Sequence, residues 1–379
     1  MALKVTWRQA LAWRMKRQLL EPIGSGSVAD VVRQLGAVQA QVASSAELAI
    51  RLRRRTSGAG EVAAALERGD LLKTWVMRGA LHLITPTEGA AFLSLMAAGR
   101  SWERQSWQRY FGLTTAKMAR FRETVREAMD GTALSREDIV AAVAADPALA
   151  SLADGLRSGW GTLLKPLAWQ GDLCFGPSQG NRVTFMRPDD ASPNWAGIPD
   201  PEEATPTVVA AYLRAYGPAA PDAFGRWLSG GWFPRRRLQA AFAEMGDRIA
   251  ELEVDGDPAF ILAEDLDDLA ATRPTLAVRL LGGFDQYVLG PTTEDGHVTS
   301  AARRWEVSRQ SGWIAPVVVH SGSVSGTWKL DGDRVVVEWF VESGRVARGG
   351  LEREVSRLGS ILDCDLGLEV ERIPLRASR

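Results

Sequence analysis

Cysteine is nearly absent from this chain, with only Cys174 and Cys364 in 379 residues. Two thiols so far apart make neither a disulfide framework nor the clustered ligands of a structural zinc, so a metal-free fold in a reducing cytoplasm is expected. Histidine is scarce too. His82, His297 and His320 are widely separated, and no cysteine or carboxylate spacing around them reads as a metal site. Net charge is almost nil, with 45 Lys and Arg against 46 Asp and Glu. That excludes a protein coated in positive charge, but not local anion binding, which depends on where the cations cluster. Long apolar runs are also missing. The first twenty residues are amphipathic and broken by Arg14, Lys16 and Arg17, so neither a secretory signal nor a membrane span is expected. No HExxH, GxxxxGK[ST] or GxSxG motif occurs, which removes the most familiar hydrolase and nucleotide-binding signatures.

What the chain does have is length and apolar content, 46% hydrophobic, enough for two or three cores. It also carries a weak internal repeat. EVAAALERGDLLKTWVMRGALHLI reads as a helix, then Gly69-Asp70, then two short apolar runs around Arg78-Gly79. GWGTLLKPLAWQGDLCFGPSQGNRVTFM repeats that order through Gly171-Asp172, and RRRLQAAFAEMGDRIAELEVDGDPAFIL through Gly246-Asp247. In the third copy Asp255-Gly256 is a strong two-residue hairpin signal. Glycine suits each helix end because the left-handed backbone there carries no Cβ penalty.

Helices precede each unit. Trp7, Leu11, Met15 and Leu19 fall at helical spacing, and Ser135 is placed to cap the helix before the second unit. TPTVVAAYLRAYG reads as a helix with Pro206 near its start, followed by a shorter one in APDAFGRWLSG. Helices followed by a two-stranded hairpin describe a winged helix-turn-helix, whose last helix commonly enters the DNA major groove. Beyond about residue 272 the sequence turns β-rich and ends on the helical EREVSRLGSILDC. The expected class is α+β: three tandem winged helices over 1–100, 101–195 and 196–271, then a β-rich domain over 272–379.

Three basic clusters favour DNA: Arg51, Arg53, Arg54 and Arg55; Arg235, Arg236 and Arg237; and Arg303 and Arg304. Singly, each reads as a solvated helix end. The second directly follows Pro234, where a helix N-terminus and arginine together suit phosphate. The polar stretch 291–304, which holds His297 with Arg303 and Arg304, reads as a solvent loop or a hairpin tip reaching into a groove. His82 alternates with apolar neighbours and is expected to face away from them, hydrogen-bonded or exposed.

One local feature carries candidate chemistry. In LGAVQAQVASSAELAIRLR, Gln39 and Gln41 are two residues apart, so in an extended segment both amides project to one side. Ser44-x-x-Glu47 then reads as a capping box opening the next helix. On spacing alone, two such glutamines are more often solvated linker residues.

The same segment, together with TWVMRGALHLITP, AYLRAYGPAAPDAFGRWLSG, LLGGFDQYVLG and VSGTW, resembles the AlkZ family of bacterial DNA glycosylases over nearly the whole chain. The resemblance implies a C-shaped arrangement of three winged helices around duplex DNA. It implies hydrolysis of the N-glycosidic bond of N7-alkylated purines, including bulky adducts and interstrand crosslinks, in DNA repair or self-resistance to a genotoxic natural product, without a cofactor. Gln39 and Gln41 take the place of the family's catalytic glutamines. Glutamine rather than aspartate at 41 places the chain in the Gln-x-Gln branch. The stretch 291–304 is the best candidate for the family's DNA-inserting hairpin. A monofunctional, monomeric, cytoplasmic enzyme, nucleoid-associated when bound to DNA, is therefore expected. A winged-helix transcription regulator and a non-catalytic lesion binder are the alternatives.

Overall fold

The computed structural model describes residues 3–375 except 232. The fold is mixed α+β and divides into two compact units. One comprises Met1–Glu61, Val209–Trp227 and Pro234–Arg379; the other comprises Val62–Val208 and Leu228–Phe233.

All three repeats form hairpins. Leu72–Trp75 pairs antiparallel with Leu81–Ile84, Cys174–Phe175 with Thr184–Met186, and Ile249–Val254 with Asp257–Leu262. The glycine before each hairpin is left-handed, with φ of 72° at Gly69, 75° at Gly171 and 54° at Gly246. A repeated dipeptide thus corresponds to a repeated backbone turn. Asp255 and Gly256 form the tight connection of the third hairpin, both at positive φ, with Val254 opposite Asp257.

Within the second unit, five strands lie side by side in the order 81–84, 72–75, 174–175, 184–186, 134–135. The first two hairpins join edge to edge through Lys73 and Phe175. Ser135 caps the helix Arg136–Ala144 as expected, in a capping box with Asp138. The 69–70 turn is closed by Ser192, whose hydroxyl donates to the Gly69 carbonyl at 2.6 Å.

The first unit contains the third hairpin, extended by Leu3–Val5, which runs parallel to Ile249–Val254. Helix Trp7–Arg17 packs Ala10 and Trp13 against this sheet and turns Leu11 and Met15 into a second core with Leu281, Tyr287 and Val317. Leu19 lies beyond that helix, at φ 57°. The helix expected around Pro206 runs Pro201–Tyr216, so the proline is interior rather than at its start.

The β-rich C-terminal part forms five strands in sequence order, 278–281, 317–320, 323–331, 334–340 and 367–373. Only the last pair is parallel, and helix Arg348–Leu362 supplies its crossover. Leu351, Val355 and Leu358 of that helix cover Leu280, Val318, Val335 and Trp339. The strand Gly367–Ile373 follows a helix that the sequence pattern alone presents as the closing element, although GLEVERI alternates as an edge strand should.

His82 is buried, not exposed, with its Nδ1 2.9 Å from the Ala80 carbonyl. Burial, reinforced by the Arg78 charge, pushes its pKa from 6.5 down to about 3. The folded chain then binds fewer protons than the unfolded chain between those two values, so stability falls as pH drops through that window. Urea unfolding should show His82→Gln losing less stability than wild type on acidification from pH 6.5 to pH 5, by roughly 2 kcal/mol. Parallel acid limbs would show that His82 does not carry this sensitivity.

Candidate active site

Helix Val28–Gln34 is fixed at its start by a reciprocal capping box between Ser27 and Asp30. Gly36, at φ 75°, turns the chain out of it. An extended segment follows in which Val38 and Ala40 are buried, Gln39 is half-buried and Gln41 is exposed. The two glutamines are therefore left outside the core that takes up Val38 and Ala40. The segment is anchored just upstream, where the buried Tyr216 hydroxyl donates to the Leu35 carbonyl at 3.0 Å and Gln34 Nε2 donates to the Arg17 carbonyl at 2.7 Å.

The next helix runs Ala43–Arg51, two residues earlier than a Ser44 cap would place it. Val42 occupies the cap position and makes no side-chain bond. Glu47, the expected capping partner, instead accepts from the Gly60 backbone N–H at 2.8 Å. The capping box is therefore not formed. Backbone donors of the helix's first turn lack a side-chain cap, beside Gln41 and the exposed Ala43 and Ser44.

At its far end this helix is locked by charge. Arg53, fully buried, forks onto Asp285 at 2.6 and 2.8 Å and donates to the Ala49 carbonyl at 2.8 Å. Asp285 also accepts from the Tyr287 backbone N–H at 2.8 Å, capping a short helix there. Gly282 and Gly283, just before it, allow the close approach. A Cβ on Gly282 would meet Leu48 at 3.1 Å, and one on Gly283 would meet the Ile314 carbonyl at 2.9 Å. Nothing local in the sequence links Asp285 to an arginine 232 residues earlier, so no sequence signal marks it.

The candidate DNA contacts separate into distinct groups. Arg53 is a correction: sealed from solvent against Asp285, it cannot reach a phosphate. Arg303 is another. It is buried and bound to Glu306, Glu342 and the carbonyls of Ile373 and Pro374. Arg51 and Arg54 are half-buried and committed, Arg51 to the Ile361 carbonyl and Arg54 to Glu61 and the Gly26 carbonyl. Arg55, Arg235, Arg236, Arg237 and Arg304 are exposed. Of these, Arg304 pairs with Glu294 at 3.1 Å and Arg235 lies 3.6 Å from Asp222, both on the surface.

The stretch 291–304 forms no hairpin. Asp295 is tied to buried Arg14 at 2.9 Å, Val298 lies in the core, and His297 stacks on Trp7 with ring centroids 3.7 Å apart. These contacts hold the stretch to the protein body. The next loop, Ser308–Ile314, is closed by an isolated antiparallel bridge and leaves Trp313 49% exposed.

Among the described residues, no three His, Cys, Asp or Glu side chains gather as a metal site, and no helix is long and apolar enough to cross a membrane.

This geometry has close counterparts. The family model for AlkZ-like DNA glycosylases matches residues 32–361. The chain is 44% identical, over 99% of its own length and all of the relative's, to a Streptomyces sahachiroi protein described as an interstrand DNA cross-link repair glycosylase. The solved structure of the Streptomyces sahachiroi DNA glycosylase AlkZ superposes with a TM-score of 0.94, covering 98% of this chain and all of that one.

The Arg53–Asp285 pair generates a prediction about stability. Arg53→Met strands a buried carboxylate and should lower unfolding stability by about 3–5 kcal/mol. Adding Asp285→Asn, which removes the stranded charge, should recover a large part of that loss in a thermal or urea double-mutant cycle. Additive losses would show that the two groups act independently.

Proposed function

The chain belongs to the AlkZ-like DNA glycosylase family, and we propose that it hydrolyses the N-glycosidic bond of N7-alkylated purines in duplex DNA, with Gln39 and Gln41 as the reacting pair. The observation carrying this reading is the burial pattern at 38–41: Val38 and Ala40 are buried while Gln39 is half-buried and Gln41 exposed, beside a helix start without a side-chain cap.

Alkylation at N7 leaves the purine positively charged, so the base departs without further protonation. Catalysis then needs a placed water and stabilisation of the cation developing at C1′. The amide oxygen of either glutamine can accept a hydrogen bond from that water, and the other can face C1′ with its partial negative charge. Neither amide ionises near neutral pH, so neither is an effective general base. The chemistry is therefore selective for bases that are already cationic, and unmodified guanine persists. No lysine is assigned to Schiff-base chemistry, so the product is an intact abasic site.

The repeated helix–hairpin units are read as three winged helices, with DNA as their partner and a monomer as the working form. Support comes from helix Arg235–Ala243. Its first turn carries three arginines and no acidic residue, and its cap position is Pro234 without a side-chain bond. Positive side chains at the positive end of a helix dipole are unfavourable in the free protein, and a phosphate relieves that repulsion. Arg55 and Arg304 extend the proposed phosphate contacts. The relative's description as a cross-link repair enzyme extends the substrate class to interstrand crosslinks. A base tied to both strands cannot be flipped into a closed pocket, which agrees with reacting groups that stand at the surface.

Two measurements test this reading. Incubated with duplex DNA carrying N7-methylguanine or a bulky N7 adduct, the protein should generate alkali-labile abasic sites. Gln39→Ala and Gln41→Ala should each slow release roughly a hundred-fold while DNA affinity is kept. Tight binding without release from either adduct would overturn the enzyme assignment. Replacing Arg235, Arg236 and Arg237 by Gln should weaken binding equally across sequences and flatten the salt dependence of log K by about 0.9 for every phosphate that is no longer neutralised. An unchanged slope would remove that helix from the DNA interface.

A further inference from the structure

Helix Gln105–Phe111 contains no buried residue. Its sequence, QSWQRYF, nevertheless carries three aromatic side chains. Tyr110 is 82% exposed, the highest value among the large hydrophobics of the described residues, while Trp107 and Phe111 are half-buried. Phe111 touches both of the other rings: Trp107 and Phe111 centroids are 4.6 Å apart, and Tyr110 and Phe111 4.8 Å. This cluster is not a strand or helix face awaiting its own core, because the neighbours that anchor the element lie at its ends. Gln108 Nε2 donates to the Glu103 carbonyl at 3.2 Å and to Thr115 at 3.3 Å. Gly112, at φ 64°, ends the helix, and buried Leu113 bonds back to the Gln108 carbonyl at 3.2 Å. The aromatic face is thus held in a defined orientation toward solvent, where exposed apolar area is ordinarily removed by a partner.

Charge identifies that partner. Residues 100–110 hold Arg100, Arg104 and Arg109 against one acid, Glu103. All three arginines are exposed. Arg109 makes a long bond to the Gln105 carbonyl at 3.4 Å, and Arg100 a loose pair with Glu103 at 3.6 Å. Aromatic rings interleaved with guanidinium groups fit one chemistry well: rings stack on base faces while the cations face the phosphates. A base in an intact stack offers no face, so the fitting ligand is DNA with unstacked nucleotides, as at an overhang or beside a lesion that has opened the helix.

We propose that helix Gln105–Phe111 is a second DNA-binding element, with Tyr110 as the stacking side chain and Arg109 as a phosphate contact. It rests on the reading of the chain as a DNA glycosylase and adds a place where unpaired nucleotides are held. The feature has no counterpart in the glutamine segment or in the arginine runs.

The experiment compares affinity for an undamaged blunt duplex with affinity for the same duplex carrying a short single-stranded overhang, by fluorescence anisotropy. Wild type should bind the overhang DNA more tightly, and Tyr110→Ala should remove roughly ten-fold of that affinity while the blunt duplex changes little. Arg109→Gln should weaken both and reduce the salt slope by about one. Because Tyr110 is almost fully exposed, melting temperature checks that the variant folds as wild type does. No overhang preference, or one that survives Tyr110→Ala, overturns the proposal. A Tyr110→Ala variant that changes only sedimentation behaviour does so too, by assigning the face to a second copy of the chain. Base release from N7-methylguanine, measured alongside, separates the two readings. Overhang preference without release contradicts only the glycosylase reading, and release without a Tyr110-dependent preference contradicts only this one.

Discussion

The placement of the candidate reacting groups depends on a charge pair that solvent never reaches. Arg53 and Asp285 meet bidentately with almost no exposed surface, and desolvating two such charges is unfavourable unless geometry and further hydrogen bonds compensate. Here the Ala49 carbonyl and the Tyr287 amide supply those bonds. The result is less a source of stability than a fixed register. Just beyond the C-terminal end of helix Ala43–Arg51, Arg53 engages this carboxylate, and Gly282 leaves out the Cβ that would crowd Leu48 of that helix. With one end locked, the other end, which begins just after Gln41, has a determined position and direction. A catalytic segment without metal or ionisable ligands needs such external fixing, because amide groups act through placement rather than through a shifted pKa.

The same constraint divides the first arginine run by task. Arg53 holds the fold, Arg51 and Arg54 close neighbouring loops onto carbonyls and a carboxylate, and only Arg55 is exposed. In 303–304 the division is sharper still, with one guanidinium buried among glutamates and its neighbour on the surface. A run of basic residues is therefore not one patch. Helix Arg235–Ala243 is different because all three of its leading arginines are exposed, Arg235 lying 3.6 Å from Asp222.

Much of the local structure was legible in the sequence. Gly69, Gly171 and Gly246 announced left-handed helix ends, Asp255-Gly256 announced a tight hairpin, and Gln39-Ala40-Gln41 announced an alternating segment. Each of these is decided within a few residues by backbone sterics or by period-two geometry. What failed was decided at a distance. Ser44 and Glu47 had the spacing of a capping box, but Gly60 took the Glu47 carboxylate and the helix began at Ala43. The polar stretch 291–304 looked free, yet Asp295 is claimed by Arg14 and Val298 by the core. Leu3–Val5 is too short to read as a strand, and it exists because Ile249–Val254 offers it an edge. The reading of Gln39 and Gln41 as a reacting pair rests on family resemblance, since spacing alone cannot separate such a pair from two solvated amides.

The central claim is that a non-ionisable pair performs hydrolysis on a base that is already a good leaving group. Its most direct test is the pH dependence of single-turnover base release from N7-methylguanine DNA, divided by spontaneous release from the same DNA so that ionisation of the base itself cancels. The account predicts a ratio that is flat from about pH 6 to about pH 8.5, because no enzyme group must gain or lose a proton. A limb in that ratio, following a single ionisation and surviving in a properly folded protein, would reveal an acid or base at work and contradict the account.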